Sequence, residues 1–296
     1  MPRLRFTILV AVLSGLFAST AQAQPRQRGS IHAGIGYLST PNLYDENGDV
    51  IDTGVDFSAL STEFGAEVVV VHRSAYDTIV GGAVHLAHAT IGGSTGAEEM
   101  TSGFTTQNLS LHSRLTNERF AVTAGVSIDI GQDPEEATPP NSDGQHALLL
   151  GASVTIPAGG TLRLTGGANA FLTLARAVEG TAAVSIDDGD VYAVYLDGQY
   201  PIGPIHLGLR VQHVTLTDIT RTTDGIDEIF PDSDSYQFAL VPSVTVHLPS
   251  TPLHIRLQLG ARSGAVQEYA DYGFALAGKN VAATRLPVAL RLRFDF

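Results

Sequence analysis

The sequence predicts an all-β protein, a transmembrane antiparallel up-and-down β-barrel of about twelve strands. Three observations carry this. Apolar residues recur at every second position in segment after segment, as in strands with one greasy face. Short and long connections alternate along the chain, the pattern of membrane barrels. The face opposite the apolar one holds Gly, Ala, Ser, Thr and occasional Arg, whereas a soluble sandwich would fill it with Lys and Glu; the only lysine is Lys279.

Composition sets the outer bounds. The 296 residues include no Cys and no Trp and carry a net charge of −13. No disulfide framework, thiol nucleophile or Cys-ligated metal site can form. So acidic a chain is a poor partner for nucleic acid. Charged residues make up only 16% of the chain, few for a soluble surface of this size.

The N-terminus reads as an export signal over residues 1–23. Arg3 and Arg5 give it a basic start, Phe6 to Phe17 form an apolar run, and Ala21-Gln22-Ala23 supplies a small-x-small cleavage site. The apolar run is too short to span a bilayer. A short segment, 24–29, follows, and residues 30–296 form the expected barrel.

The strand segments fall at about 30–40, 57–72, 77–92, 104–115, 120–131, 146–156, 161–174, 190–202, 204–219, 236–248, 253–266 and 284–296. In the fifth, Phe120, Val122, Ala124, Val126, Ile128 and Ile130 share one face and Ala121, Thr123, Gly125, Ser127 and Asp129 the other. A helix would scatter the apolar set around its circumference. Short connections (73–76, 116–118, 157–160, near 203, 249–252) then mark one end of the barrel. Long ones (about 41–56, 93–103, 132–145, 175–189, 220–235, 267–283) mark the other. An even strand count leaves both termini at the short-turn end. Tyr192 and Tyr200 stand eight residues apart on one apolar face, about 26 Å along a strand, the spacing of an interfacial girdle.

The last segment carries a family resemblance. Phe296, Phe294, Leu292, Leu290, Val288 and Leu286 alternate with Asp295, Arg293, Arg291, Ala289, Pro287 and Arg285. A terminal aromatic with apolar residues at every second position resembles the C-terminal insertion signal of Gram-negative outer-membrane β-barrel proteins. The resemblance implies an outer-membrane location, a lipid surround and recognition of Phe296, Phe294, Leu292 and Leu290 by the barrel-assembly machinery. It names a class and no subfamily.

The charges divide by position. Most acids fall in the long loops, making an acidic crown that is either a solvated rim or a place for divalent cations. Within it, Asp45-Glu46-Asn47-Gly48-Asp49 with Asp56 partly follows calcium-loop spacing, but Val50 stands where glycine is needed, and Asn47-Gly48 is also an ordinary turn. The inward face is expected to carry Arg163, Arg210, Arg256, Arg262, Arg291 and Arg293 on one arc, with Glu63, Glu67, Asp129 and Asp197 largely on another. Facing lipid, each would cost ~2–4 kcal/mol at mid-membrane, so the lumen is their place. There they act either as salt bridges filling the barrel or as a constriction that selects solutes. Inward glycines (Gly34, Gly36, Gly65, Gly125, Gly151, Gly167, Gly208, Gly260) favour open space.

No catalytic set emerges. His85 and His88 are three apart and so on opposite faces of a strand. His206, His247 and His254 fall inward as polar filling, and Ser110 and His112 are a same-face pair of a commonplace kind. HExxH is missing, and the one Gly-x-Ser-x-Gly string, Gly92-Gly93-Ser94-Thr95-Gly96, falls in a long connection between strand segments and makes no strand-to-helix nucleophile elbow. The expected function is a passive pore or narrow channel for small polar or anionic solutes, without catalysis, cofactor or metal. The alternatives are a lipid-modifying enzyme on the same barrel and a structural or adhesive barrel with a plugged lumen.

Overall fold

The computed structural model describes residues 28–44, 50–51, 55–93, 101–131, 146–159, 161–177, 184–187, 189–217, 220–223, 226–229, 235–249, 251–259, 261–266 and 281–296. The export signal at 1–23, most of the acidic crown and residues 45–49 of the calcium-like loop lie outside them.

Twelve antiparallel strands close into a barrel. They are β1 (Gly29–Tyr44), β2 (Val55–His72), β3 (Asp77–Gly93), β4 (Thr101–Thr116), β5 (Phe120–Asp129) and β6 (His146–Pro157). The circuit continues with β7 (Arg163–Leu174), β8 (Val191–Ile202), β9 (Ile205–Leu216) and β10 (Ser235–His247). It ends with β11 (Leu253–Leu259 continued by Ala261–Val266) and β12 (Val281–Asp295). Each strand pairs with its sequence neighbours, and β12 pairs with β1 over Ser30↔Asp295 to Tyr44↔Ala282, so no edge is left. Closure matters because a strand edge in hydrocarbon would leave its N–H and C=O groups without water to bond.

The seam is locked where β1 begins and β12 ends. Arg28 and Gly29 donate their N–H groups to the Phe296 carbonyl at 2.7 and 3.0 Å, and Phe296 N–H returns a bond to Gly29 at 2.9 Å. A Cβ on Gly29 would lie 2.7 Å from the Phe296 ring, so glycine there is what lets the terminal aromatic lie against the seam.

Alternation resolves into two solvents. Ile31, Ile35, Tyr37, Phe64, Leu111, Val154, Tyr192, Leu196, Tyr200, Leu207, Leu290, Leu292, Phe294 and Phe296 are large, apolar and exposed on the outer wall. Ser30, Ser61, Glu63, Ser110, Arg114, Thr165, Asp197, Arg210, Gln212, Ser243, Gln258 and Asp295 are polar and buried in the interior. This inverts a soluble protein, and it is what hydrocarbon outside and a polar lumen inside require.

The structure departs from expectation above the barrel. Arg176–Ala177, Val184–Asp187, Thr220–Thr223 and Ile226–Ile229 form a separate four-stranded antiparallel sheet in stretches read from sequence as loops. Thr220–Thr223 and Ile226–Ile229 flank Asp224-Gly225, a hairpin signal between β-branched residues that the charge count hid. Another difference is length: β1 reaches Tyr44, beyond the expected end near residue 40.

Candidate functional site in the lumen

Register places the predicted lumen residues on inward rows. Arg210 stands opposite Asp197 and Arg256 opposite Arg291; Gly34 lies between Glu63 and Arg291. Arg163 enters at the first residue of β7, exposed at the short-turn mouth. Asp129 ends β5 at the other end, its carboxylate accepting from Gly131 N–H at 2.8 Å. Arg262 pairs with Ala239, an inward position; its side chain is outside the description.

In the strand halves nearer the short turns the interior is a connected ionic layer. Glu63, 3% exposed, meets Arg291 at 2.8 Å and His32 at 2.6 Å. Glu67 accepts from Arg114 at 3.0 Å and lies 3.1 Å from His112. Arg210, 2% exposed, meets Asp197 through both Nε and Nη2 at 3.1 Å and stacks over Tyr195, 4.6 Å from the ring centre. Arg293 binds Asp295 at 2.6 Å, and Asp295 meets His254 at 2.8 Å. From His254 a chain of imidazoles continues through His247 to His206, the last link at 3.2 Å.

Two expectations are corrected here. Acids and arginines are not sorted onto separate arcs. They are interleaved in pairs, because β12, β1 and β2 are neighbours and an ion pair can reach over the strand between. The inward glycines are not open space either. A Cβ on Gly65 would meet the His32 ring at 2.5 Å; on Gly125, the His112 Cβ at 2.9 Å; on Gly151, the Asn169 side chain at 2.7 Å; on Gly167, the Tyr195 ring at 2.5 Å; and on Gly208, the Ser243 hydroxyl. Gly81 does the same for Glu67 and His112, and Gly34 stands in register between Glu63 and Arg291. Each such glycine is the seat of a larger neighbour. The signal was in the sequence, as polar residues and glycine at facing register positions, but it needs the register to be seen. Gly260 lies outside the described residues.

Gly167→Val is accordingly expected to lower barrel stability by ~1–3 kcal/mol through overpacking against Tyr195. Its neighbour Gly166 faces outward with nothing within 4 Å of a Cβ, and Gly166→Ala should be close to neutral. Urea midpoints of the two variants in lipid vesicles check this.

Beyond the ionic layer, towards the long loops, inward positions turn apolar. Leu38, Ala59, Ala87, Val191, Val214 and Ala239 are all buried, with Leu38 fully so, and Phe171 and Ala193 pack on the Val191–Val214 cluster. Sequence reasoning missed this collar because it sorted inward positions by charge. The half-buried wall is the one diametrically opposite the β12–β1 seam. Thr123, Gly125, Ser127, Leu149, Gly151, Ser153, Gly167 and Asn169 on β5–β7 keep some accessible surface there. Ionic groups on one side and neutral, mostly small residues on the other form a lopsided interior.

The histidines also regroup. His112 does not serve Ser110. His85 Nε2 lies 3.0 Å from Ser110 Oγ, while His85 Nδ1 faces Glu63 at 3.8 Å. Ser110 is 8% exposed, points into the lumen, and donates to the Ala83 carbonyl at 3.3 Å. Among the described residues no group of three or more His, Asp or Glu side chains is arranged to hold a metal ion.

No protein-family model and no curated protein matches the sequence. Solved structures do. An outer membrane channel from Pseudomonas putida F1 aligns over 94% of this chain and 100% of its own at 14% identity, with a TM-score of 0.70. The beta domain of the Bordetella autotransporter Brka aligns over 91% and 100% at 10% identity, TM-score 0.53. The transport unit of the autotransporter AIDA-I from Escherichia coli aligns over 100% and 99% at 7% identity, TM-score 0.50. At these identities the likeness is one of fold: the chain folds as an outer-membrane β-barrel.

Proposed function

With the outer-membrane barrel fold as premise, we propose that the protein is a narrow channel for small polar or anionic solutes. The observation that carries this is the charge balance of the inner layer. Arg114, Arg210, Arg256, Arg291 and Arg293 stand against Glu63, Glu67, Asp197 and Asp295, and Arg163 lies at the short-turn mouth. A net cationic interior in a chain of net charge −13 is a field that favours anions at a constriction. Solutes pass along the small-residue wall of β5–β7, past the ionic layer, and meet the apolar collar, which resists hydrated ions. Insertion uses the exposed Leu290, Leu292, Phe294 and Phe296 as the face offered to the barrel-assembly machinery and then to lipid.

Planar-bilayer recording tests the reading. Folded protein is expected to give small, anion-preferring currents, and Arg163→Gln at the mouth should move the reversal potential towards zero selectivity. Absence of current from verified, folded barrels overturns it in favour of the plugged structural barrel. That second reading draws support from Asp197, at 1% exposure, and from the full burial of Leu38.

The protein acts without catalysis on lipid in this reading. Ser110 and His85 face the lumen, whereas lipid contacts the Leu109 and Leu111 side of β4. Lipid turnover by the purified barrel in mixed micelles would overturn it.

A further inference from the structure

We propose that Arg256 is the anchor of a binding site for small monocarboxylates on the lumen wall. The proposal deepens the channel reading and rests on it only for access to the lumen from water.

The first ground is that Arg256 has no carboxylate of its own. Glu63 is engaged by Arg291 at 2.8 Å, Glu67 by Arg114 at 3.0 Å and Asp295 by Arg293 at 2.6 Å. The remaining described acid near it, Asp197, accepts a hydrogen bond at Oδ2 from Arg210 Nε at 3.1 Å and lies 3.1 Å from Arg210 Nη2. Arg256 reaches that oxygen only at 4.0 Å. A guanidinium withdrawn from water without a matched anion is unfavourable, since its desolvation is repaid only by close, hydrogen-bonded partners.

The second ground is geometry. Arg256 is 15% exposed, its Nε is buried without a hydrogen-bond partner, and its Nη2 makes one long bond, 3.3 Å, to Ser243 Oγ. The planar donor fork is therefore largely unused. Ser243 and Gln258 are register partners on β10 and β11 beside it, adding a hydroxyl and an amide at the same place. Across the barrel lies the half-buried wall of β5–β7, which carries no charged side chain at Thr123, Gly125, Ser127, Gly151, Ser153, Gly167 or Asn169.

The ligand class follows from the charges around the fork. A carboxylate offers two coplanar oxygens that match a guanidinium. A phosphate dianion would set its second charge against Asp197, whose Oδ1 is also buried and unpaired, and no second uncommitted guanidinium is at hand to offset it. One negative charge and a planar head are what the site accommodates.

The test uses the purified full barrel in detergent, titrated with carbon-13 acetate at constant ionic strength held with chloride, and read by line broadening. Saturable acetate binding is expected. Arg256→Gln should weaken it about tenfold or more, as loss of a charge-assisted pair does. Arg256→Lys, which keeps the charge but loses the fork, should lie between. Arg73→Gln, a change in an exposed short turn, should bind as the parent does. Inorganic phosphate should displace acetate poorly. Parent-like binding by Arg256→Gln overturns the site, and so does equal displacement by phosphate, which would mark a mere positive field. Heat-modifiable migration verifies folding; should Arg256→Gln fail it, Arg256→Lys and Ser243→Ala carry the comparison, and unchanged binding in both overturns the site. Acetate binding without bilayer current sinks the channel and keeps the site, while current with no saturable binding does the reverse.

Discussion

Glu63→Gln should cost the barrel about 3–5 kcal/mol, among the largest effects of any conservative substitution in this chain. The carboxylate is 3% exposed and serves Arg291 at 2.8 Å and His32 at 2.6 Å at once. Glutamine keeps the shape and one acceptor oxygen but removes the charge, so the Arg291 guanidinium stays buried against a neutral neighbour. The penalty is the desolvation of a buried cation that has lost its 2.8 Å carboxylate more than the net worth of the ion pair, which is why a near-isosteric change suffices. Urea unfolding in lipid vesicles reads it as a lower midpoint at unchanged slope. A shift under about 1 kcal/mol would mean that water reaches Arg291 freely and that the ionic layer is a solvated lining. The double variant Glu63→Gln/Arg291→Gln should recover part of the loss, because two neutral amides replace a buried, under-compensated charge.

The adjacent residue gives the opposite prediction for the opposite physical reason. Phe64, 58% exposed, lies mid-strand on the outer wall of β2. Phe64→Arg should cost ~2–4 kcal/mol in a bilayer, the price of a charge at the hydrocarbon midplane. In a detergent-free aqueous protein the same exposed site would accept arginine almost neutrally. Vesicle unfolding of this variant therefore tests the placement of lipid directly: a neutral result would put water on the outer wall. Residues 63 and 64 are one peptide bond apart, and successive strand side chains point to opposite faces. One thus needs its charge and the other cannot tolerate one.

Much of the architecture could be read without coordinates. Period-two alternation gave the strand segments, and the alternating connection lengths gave the meander. The run from Leu286 to Phe296 gave the class, and all of these rest on local rules. The interior was read in part. The inward placement of Arg210, Arg256, Arg291, Glu63, Glu67 and Asp197 follows from the same parity. Their pairing does not, since Glu63 and Arg291 are 228 residues apart. Arg114, His32 and the collar around Leu38 were missed. Arg114 and Leu38 lie inside strand segments, but parity alone does not tell which inward side chains meet a partner from a distant strand.

The sequence by itself determined which face of each strand meets hydrocarbon, because side-chain parity is a property of every strand alone and needs no partner. Only the tertiary structure decided what the lumen is. Closing β12 onto β1 sets a stagger between strands, and that stagger decides which arginine meets which carboxylate, which glycine lies beneath a neighbour's ring, and which guanidinium is left over. Register is a relation between distant segments, and no single segment encodes it.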